Sequence, residues 1–233
     1  MQRMNRTALS LLLVAVLLAA CQAPLSAQEI LTNSSTAMEN VSSFTYTMYI
    51  MINSGETPST ISVNGVAEPP DHTYMTLEVS EGTVEMVMLS TEEIYVRILN
   101  LENPQDWTVV PPEQLGQLGF DLDSVLQTGN SLDYYIDPQL VGTETINGVE
   151  CYHITYTIDT TEMMATLGEF YQAAEVTLDD ATGEVWVGVD DSLIYKTQSN
   201  VAVTAMGIQT QEAVTINLSA FNEPVEIPDP TAQ

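Results

Sequence analysis

The sequence predicts an α+β protein built on one antiparallel sheet of about eleven strands. Three observations predict it. Apolar residues alternate with polar ones over most of the chain, the period of a strand with one buried face. The alternating stretches follow one another closely with turn residues between them, as in antiparallel meanders. Helical spacing is concentrated at the start of the body and in one segment of the second half. A sheet that long tends to curl.

The first residues are not part of that body. Arg3 and Arg6 form a positive stretch, and Leu9–Ala20 is apolar apart from Ser10. A run of about a dozen apolar residues is short of a membrane span and right for the apolar region of a signal peptide. Leu18-Ala19-Ala20-Cys21 follows, with small residues leading straight into a cysteine. This resembles the bacterial lipobox, and the resemblance implies cleavage before Cys21 and diacylation of its sulfur. Residues 1–20 then read as a lipoprotein signal peptide, 21–28 as an acylated tether and 29–230 as the folded domain. Buried acyl chains contribute about 0.8 kcal/mol per CH₂ to membrane anchoring. Cys151, the other cysteine, lies in a strand pattern and reads as a buried, inert thiol. With Cys21 acylated, no internal disulfide forms.

Within the body, Ile30, Leu31, Ala37, Met38 and Val41 recur at helical spacing and predict a helix over Glu29–Val41. Phe44, Tyr46, Met48, Ile50 and Ile52 then alternate, which predicts a strand. Ser59–Ala67, Thr73–Val79, Thr83–Leu89 and Ile94–Leu99 continue the meander. The period breaks from Leu101 to Pro138. There Pro112–Leu118 and Leu122–Gln127 read as short helices with Leu115, Leu118, Leu122, Val125 and Leu126 on their apolar side. Strands resume at Leu140–Ile146 and Val149–Ile158, joined by Asn147-Gly148, the preferred type I′ hairpin pair. Asp159 caps an amphipathic helix over Asp159–Ala174, whose stripe holds Met163, Met164, Leu167, Phe170 and Tyr171. Glu175–Leu178, Glu184–Val189, Ile194–Thr204 and Gln209–Phe221 are the closing strands, with a turn expected at Ala181-Thr182-Gly183.

Charge excludes whole classes of function. The chain carries 4 Lys+Arg against 32 Asp+Glu, a net charge of −28. Beyond residue 20 only Arg97 and Lys196 are basic. Such a body offers no phosphate-binding surface, so nucleic acid is excluded as a partner, as is electrostatic docking on anionic headgroups. Yet charged residues are 15% and hydrophobic ones 45%, enough for a sizeable core. The charge arises from missing bases and reads as a soluble, self-repelling surface.

Reaction motifs are absent: there is no G-x-S-x-G, P-loop, H-E-x-x-H or C-x-x-C. His72 and His153 fall in separate strands without ligand spacing. Asp179-Asp180 and Asp190-Asp191 lack the spacing of a calcium loop and read as solvated turns. The sequence gives no argument for an enzyme, a cofactor or a metal. It does give methionines: Met48, Met75, Met86 and Met88 fall on inward faces beside Phe44 and Tyr46. Such a set either fills an ordinary core or lines an apolar pocket beneath an amphipathic helix.

The lipobox, the first helix, the opening strand and the long sheet together resemble a known family. Val141-Gly142-Thr143-Glu144-Thr145-Ile146-Asn147-Gly148-Val149-Glu150, Thr182-Gly183-Glu184-Val185-Trp186-Val187 and the closing Val225-Glu226-Ile227-Pro228-Asp229-Pro230 carry the resemblance in their order. The layout is similar to the mycobacterial LppX/LprG lipoproteins, within the LolA/LolB-like group of lipid carriers. The resemblance implies a half-barrel sheet whose concave side, covered by helices, holds acyl chains without catalysis or cofactor. The implied cavity residues are Phe44, Tyr46, Met48, Met86, Met88, Val96, Leu115, Leu118, Leu122, Leu126, Met163, Met164, Leu167 and Phe170.

The expected protein is thus a monomeric lipid-binding lipoprotein, anchored through Cys21 on the outer face of the cell membrane. The alternative is a non-catalytic sensor or scaffold lipoprotein with a packed core that binds a protein partner. A surface hydrolase has no motif behind it. Cys21→Ser removes the acylated sulfur, so this variant should leave the membrane fraction or stay unprocessed. Membrane fractionation with an N-terminal size check reads the outcome, and a processed variant still in membranes contradicts the lipobox.

Overall fold

The computed structural model describes residues 25–231, apart from 54, 56, 57, 80, 81, 91, 100–105, 112–134, 163, 165–175 and 206. Helix α1, Ala27–Met38, begins at a capping box. The Glu29 N–H donates to Ser26 Oγ at 3.2 Å, and the Ser26 N–H donates to the Glu29 carboxylate at 2.9 Å. Each satisfies a donor that the helix start leaves open. The Ser26 N–H and, at 2.7 Å, the Ser26 hydroxyl both donate to the Glu29 carboxylate and hold that carboxyl below its ordinary range. The helix therefore starts inside the stretch expected to be tether. It buries Ala27, Ile30, Leu31 and Ser34 along one face.

The strands are β1 (Phe44–Asn53), β2 (Ser59–Glu68), β3 (His72–Val79), β4 (Gly82–Met88), β5 (Ile94–Leu99), β6 (Thr108–Val109), β7 (Tyr135–Ile146), β8 (Val149–Ile158), β9 (Thr177–Gly188), β10 (Ile194–Ala205) and β11 (Ile208–Ser219). All join one eleven-stranded sheet in the order β6-β5-β4-β3-β2-β1-β11-β10-β9-β8-β7. Two meanders meet where the first strand pairs with the last, from Thr45↔Ser219 to Asn53↔Gln211.

Further boundaries differ from expectation, among them the start of β7, which reaches back from the expected Leu140 to Tyr135. The turn expected at Ala181-Thr182-Gly183 is extended chain inside β9, because β10 pairs along this whole segment from Val187 to Thr177. The irregularity that the small residues announced is a register shift beside Val201, a bulge and not a reversal. Against that loss stands a strand not foreseen, β6, which pairs Thr108 with Val96 and Val109 with Tyr95. The Asn147-Gly148 hairpin forms with positive φ at both residues, 50° and 90°. Asp159 caps a helical start as expected, accepting from the N–H groups of Thr161 and Glu162 at 3.0 and 3.1 Å. Most of the expected helix to Ala174, and both short helices at 112–127, lie outside the described residues.

One face of the sheet holds the core. Phe44, Tyr46 and Met48 from β1 share it with Val63, Met75, Met86, Met88, Ile94, Ile154, Val185, Val187, Ile216 and Leu218, together with Ile30 and Leu31 of α1. Two glycines shape this inner face. The ring of Tyr46 lies against Gly65 of the neighbouring strand, and the ring of Tyr156 lies against Gly183. A β-carbon at either position would meet ring atoms, so each glycine lets a tyrosine lie flat on the backbone beside it. Tyr135 then stacks on Tyr156 with ring centroids 3.7 Å apart. Burial pushes the Tyr46 phenol up to about 12, and it pushes Tyr156 well above its ordinary value.

Gly183→Ala should therefore destabilise the fold by about 1–3 kcal/mol, the usual cost of overpacking. In a Tyr156→Ala background the same change should cost almost nothing, because the ring it strikes is gone. Urea denaturation of the four proteins gives the coupling; equal costs in both backgrounds contradict the ledge.

Candidate functional site: the inner face of the sheet

The inner face divides along the strands. At the end near Phe44 it is sealed. There Ile30 and Leu31 of α1 join the core cluster, and the Phe221 ring lies 6.5 Å from Phe44 and 5.3 Å from Tyr195. The chain leaving β11 is clamped to the start of β1. The Ser42 N–H donates to Asn222 Oδ1 at 2.8 Å, and Ser43 Oγ donates to the Glu223 carbonyl at 2.6 Å. Toward the other end the same rows are less deeply buried. Ile50, Ile61, Leu77, Val84 and Val214 continue the buried rows along their strands but are only partly buried, and Ile98 is 36% exposed. An apolar strip thus crosses β11, β1, β2, β3, β4 and β5, through Val214↔Ile50, Ile50↔Ile61, Leu77↔Val84 and Val84↔Ile98, stepping by one in-phase position between β2 and β3, where Leu77 pairs with Val63.

The six sequence-predicted residues that lie on described strands fall on this face. Phe44, Tyr46, Met48, Met86 and Met88 are buried in the core, and Val96 packs against it half-buried. Met164 is half-buried. Cys21, Leu115, Leu118, Leu122, Leu126, Met163, Leu167 and Phe170 lie outside the described residues. The strip residues Ile61, Leu77 and Val214 were not among the candidates, although they alternate in phase with the buried positions.

Glu212 was missed as well. It continues the Leu218, Ile216, Val214 row onto the strip, facing Ile52 on one side and Val201 on the other. Burial alone raises the Glu212 carboxyl above its ordinary range.

The outer face is polar and carries two ladders of side chains. Arg97 pairs with Glu85 and lies 4.3 Å over the Trp107 ring. Tyr74 donates to the other oxygen of Glu85 at 2.5 Å. Across the sheet, Lys196 lies 4.1 Å over Trp186, whose ring stacks on His153 at 4.5 Å. His153 is not isolated, as its sequence position suggested: Nδ1 is 3.1 Å from Glu144 and Nε2 is 2.6 Å from Glu184. Strand pairing brings these residues from three strands together, which no local spacing could reveal. Cys151 is free and buried, with its thiol pushed up to about 11 chiefly by burial. Among the described residues no group of three or more His, Cys, Asp or Glu is arranged to hold a metal ion.

The Trp186 indole donates to Glu144 at 3.0 Å and, with help from His153, holds that carboxyl below its ordinary range against partial desolvation. A carboxyl lowered by folding contributes stability above the unfolded carboxylate range, and the contribution is lost as pH falls through the folded value. Trp186→Phe should therefore move the Glu144 titration midpoint upward, read by carbon-13 NMR of the carboxyl. An unmoved midpoint contradicts the assigned cause.

No family model matches this chain, and no curated protein sequence matches it. Solved structures do. The chain is similar to LprF from Mycobacterium bovis at 15% identity and a TM-score of 0.55, over 88% of this chain and 96% of that one. It also matches lipoprotein LppX from Mycobacterium tuberculosis at 16% identity and a TM-score of 0.48, over 85% and 98% of the two chains. The likeness to LprF is one of fold: the eleven-stranded antiparallel sheet is LprF-like.

Proposed function

We propose that this chain is a lipid-binding lipoprotein that holds acyl chains against the inner face of its sheet and carries or transfers them. The observation behind this reading is the half-covered apolar strip. Ile50, Ile61, Leu77, Val84 and Val214 stand on the core side of the sheet, yet the core does not close over them. Apolar side chains left part-exposed on an inward face gain when an apolar ligand displaces water from them, by about 25 cal/mol per Å² covered. Buried Met48 and Met86 adjoin Ile50 and Val84 on the same face and add deformable side chains at its border. The LprF-like fold and the lipid-carrier group that the sequence resembles support the same reading. Cys21 is the anchor, the body works outside the cytoplasmic membrane, and residues 29–230 form one lipid-binding domain.

Native mass spectrometry of the soluble domain, without the first 21 residues, tests the reading. Extractable lipid should accompany the protein. Leu77→Asp should abolish that lipid while leaving the thermal transition nearly unchanged, because an unpaired carboxylate facing acyl chains costs several kcal/mol whereas a wetted strip tolerates it. A parent protein that never binds lipid, with Leu77→Asp unfolding the domain, would mean a packed core and the scaffold alternative.

A further inference from the structure

Glu212 stands out on the inner face by its lack of a counter-charge. Its neighbours across the strands are Ile52 and Val201, and the next in-phase residue on its own strand is Val214. It is half-buried, and among the described residues it makes no hydrogen bond or ion pair. Outer-face acids differ. Glu85 is paired with Arg97, and Glu144 and Glu184 bracket His153. Nor does the body have a cation to spare for it. Arg97 and Lys196 are the only basic residues beyond residue 20, and both are held on the opposite face against tryptophan rings. A carboxylate in apolar surroundings is costly unless something donates to it. Among the described residues nothing supplies such a donor.

We infer that Glu212 is a specificity residue that meets the polar end of a ligand lying on the apolar strip, and selects ligands whose polar end offers O–H or N–H donors without negative charge. The inference rests on the carrier reading and adds the class of ligand to it. The chain of the ligand lies over Ile50, Ile61 and Leu77, while its head reaches the Ile52–Glu212–Val201 row. There a hydroxyl or ammonium donates to the carboxylate. A ligand ending in a carboxylate or phosphate places like charge beside Glu212 in a poorly screened site, and is rejected.

Displacement of the neutral fluorophore N-phenyl-1-naphthylamine from the soluble domain tests this with three probes of equal chain length: dodecanol, dodecylamine and dodecanoate. At about pH 8 the carboxylates are ionised. Dodecanol and dodecylamine should compete at concentrations about tenfold lower than dodecanoate. Glu212→Gln should bring dodecanoate to within about threefold of dodecanol. Glu39→Gln, which makes the same change in net charge on an exposed helix end, should leave the preference as it was. Equal competition by dodecanol and dodecanoate in the parent, or an unchanged ratio in Glu212→Gln, overturns the role of Glu212 and leaves the carrier reading standing. So does a ratio that Glu39→Gln shifts as much, since that is net charge alone. Failure of the fluorophore and all three probes to bind overturns both.

Discussion

Covering one very wide apolar face is the constraint on which the rest of this structure depends. Eleven strands at about 4.8 Å spacing make a sheet roughly 48 Å across. The 12 residues of α1 make a helix about 18 Å long. One such helix reaches only part of the face, and its contacts fall on β7 and β9. The sheet covers part of the remainder with its own side chains. Tyr46 and Tyr156 fold flat onto Gly65 and Gly183, and four methionines fill the irregular space between strands. Along the strip from Val214 to Ile98 the described side chains are less deeply buried than the core beside them. The candidate site follows from the arithmetic of covering a sheet this wide.

Charge is sorted by face with equal economy. A chain at −28 has few cations to place, and both of those in the body stand on the outer side. Arg97 lies between the Trp107 face and the Glu85 carboxylate, and Lys196 lies over Trp186, where its charge helps lower the Glu144 carboxyl. The inner face is thereby left without any basic residue of the body. An acid there, such as Glu212, acquires a meaning that the dozens of solvated acids elsewhere do not have.

Period-two alternation was legible wherever one face is buried, which is why Phe44–Ile52 and Val149–Ile158 match β1 and β8 closely. Where small residues interrupt it, as at Ala181-Thr182-Gly183, local sequence cannot separate a bulge from a turn; the partner strand decides. The two-residue β6 carries no period at all. For the site, the buried methionines and Tyr46 were readable from alternation alone. Glu212 was readable in principle, since it keeps phase with Val214, Ile216 and Leu218, but an acid among 32 draws no notice until its face is known. The cluster around His153 was not readable, because it exists only through the pairing of β7, β8 and β9.

The strand order has a consequence for the timing of folding. The middle of the sheet is the seam between β1 and β11, so residues near 50 find one of their two ladder partners only in residues near 214. During synthesis or export from the N-terminus, the first meander emerges with an open central edge. It waits through the whole second meander before the last strand closes it. The joint of greatest sequence separation is thus the one that completes the sheet, and chains with such joints fold late and slowly. On the proposed extracytoplasmic reading, a sheet completed only by its final strand keeps the chain threadable for as long as threading lasts.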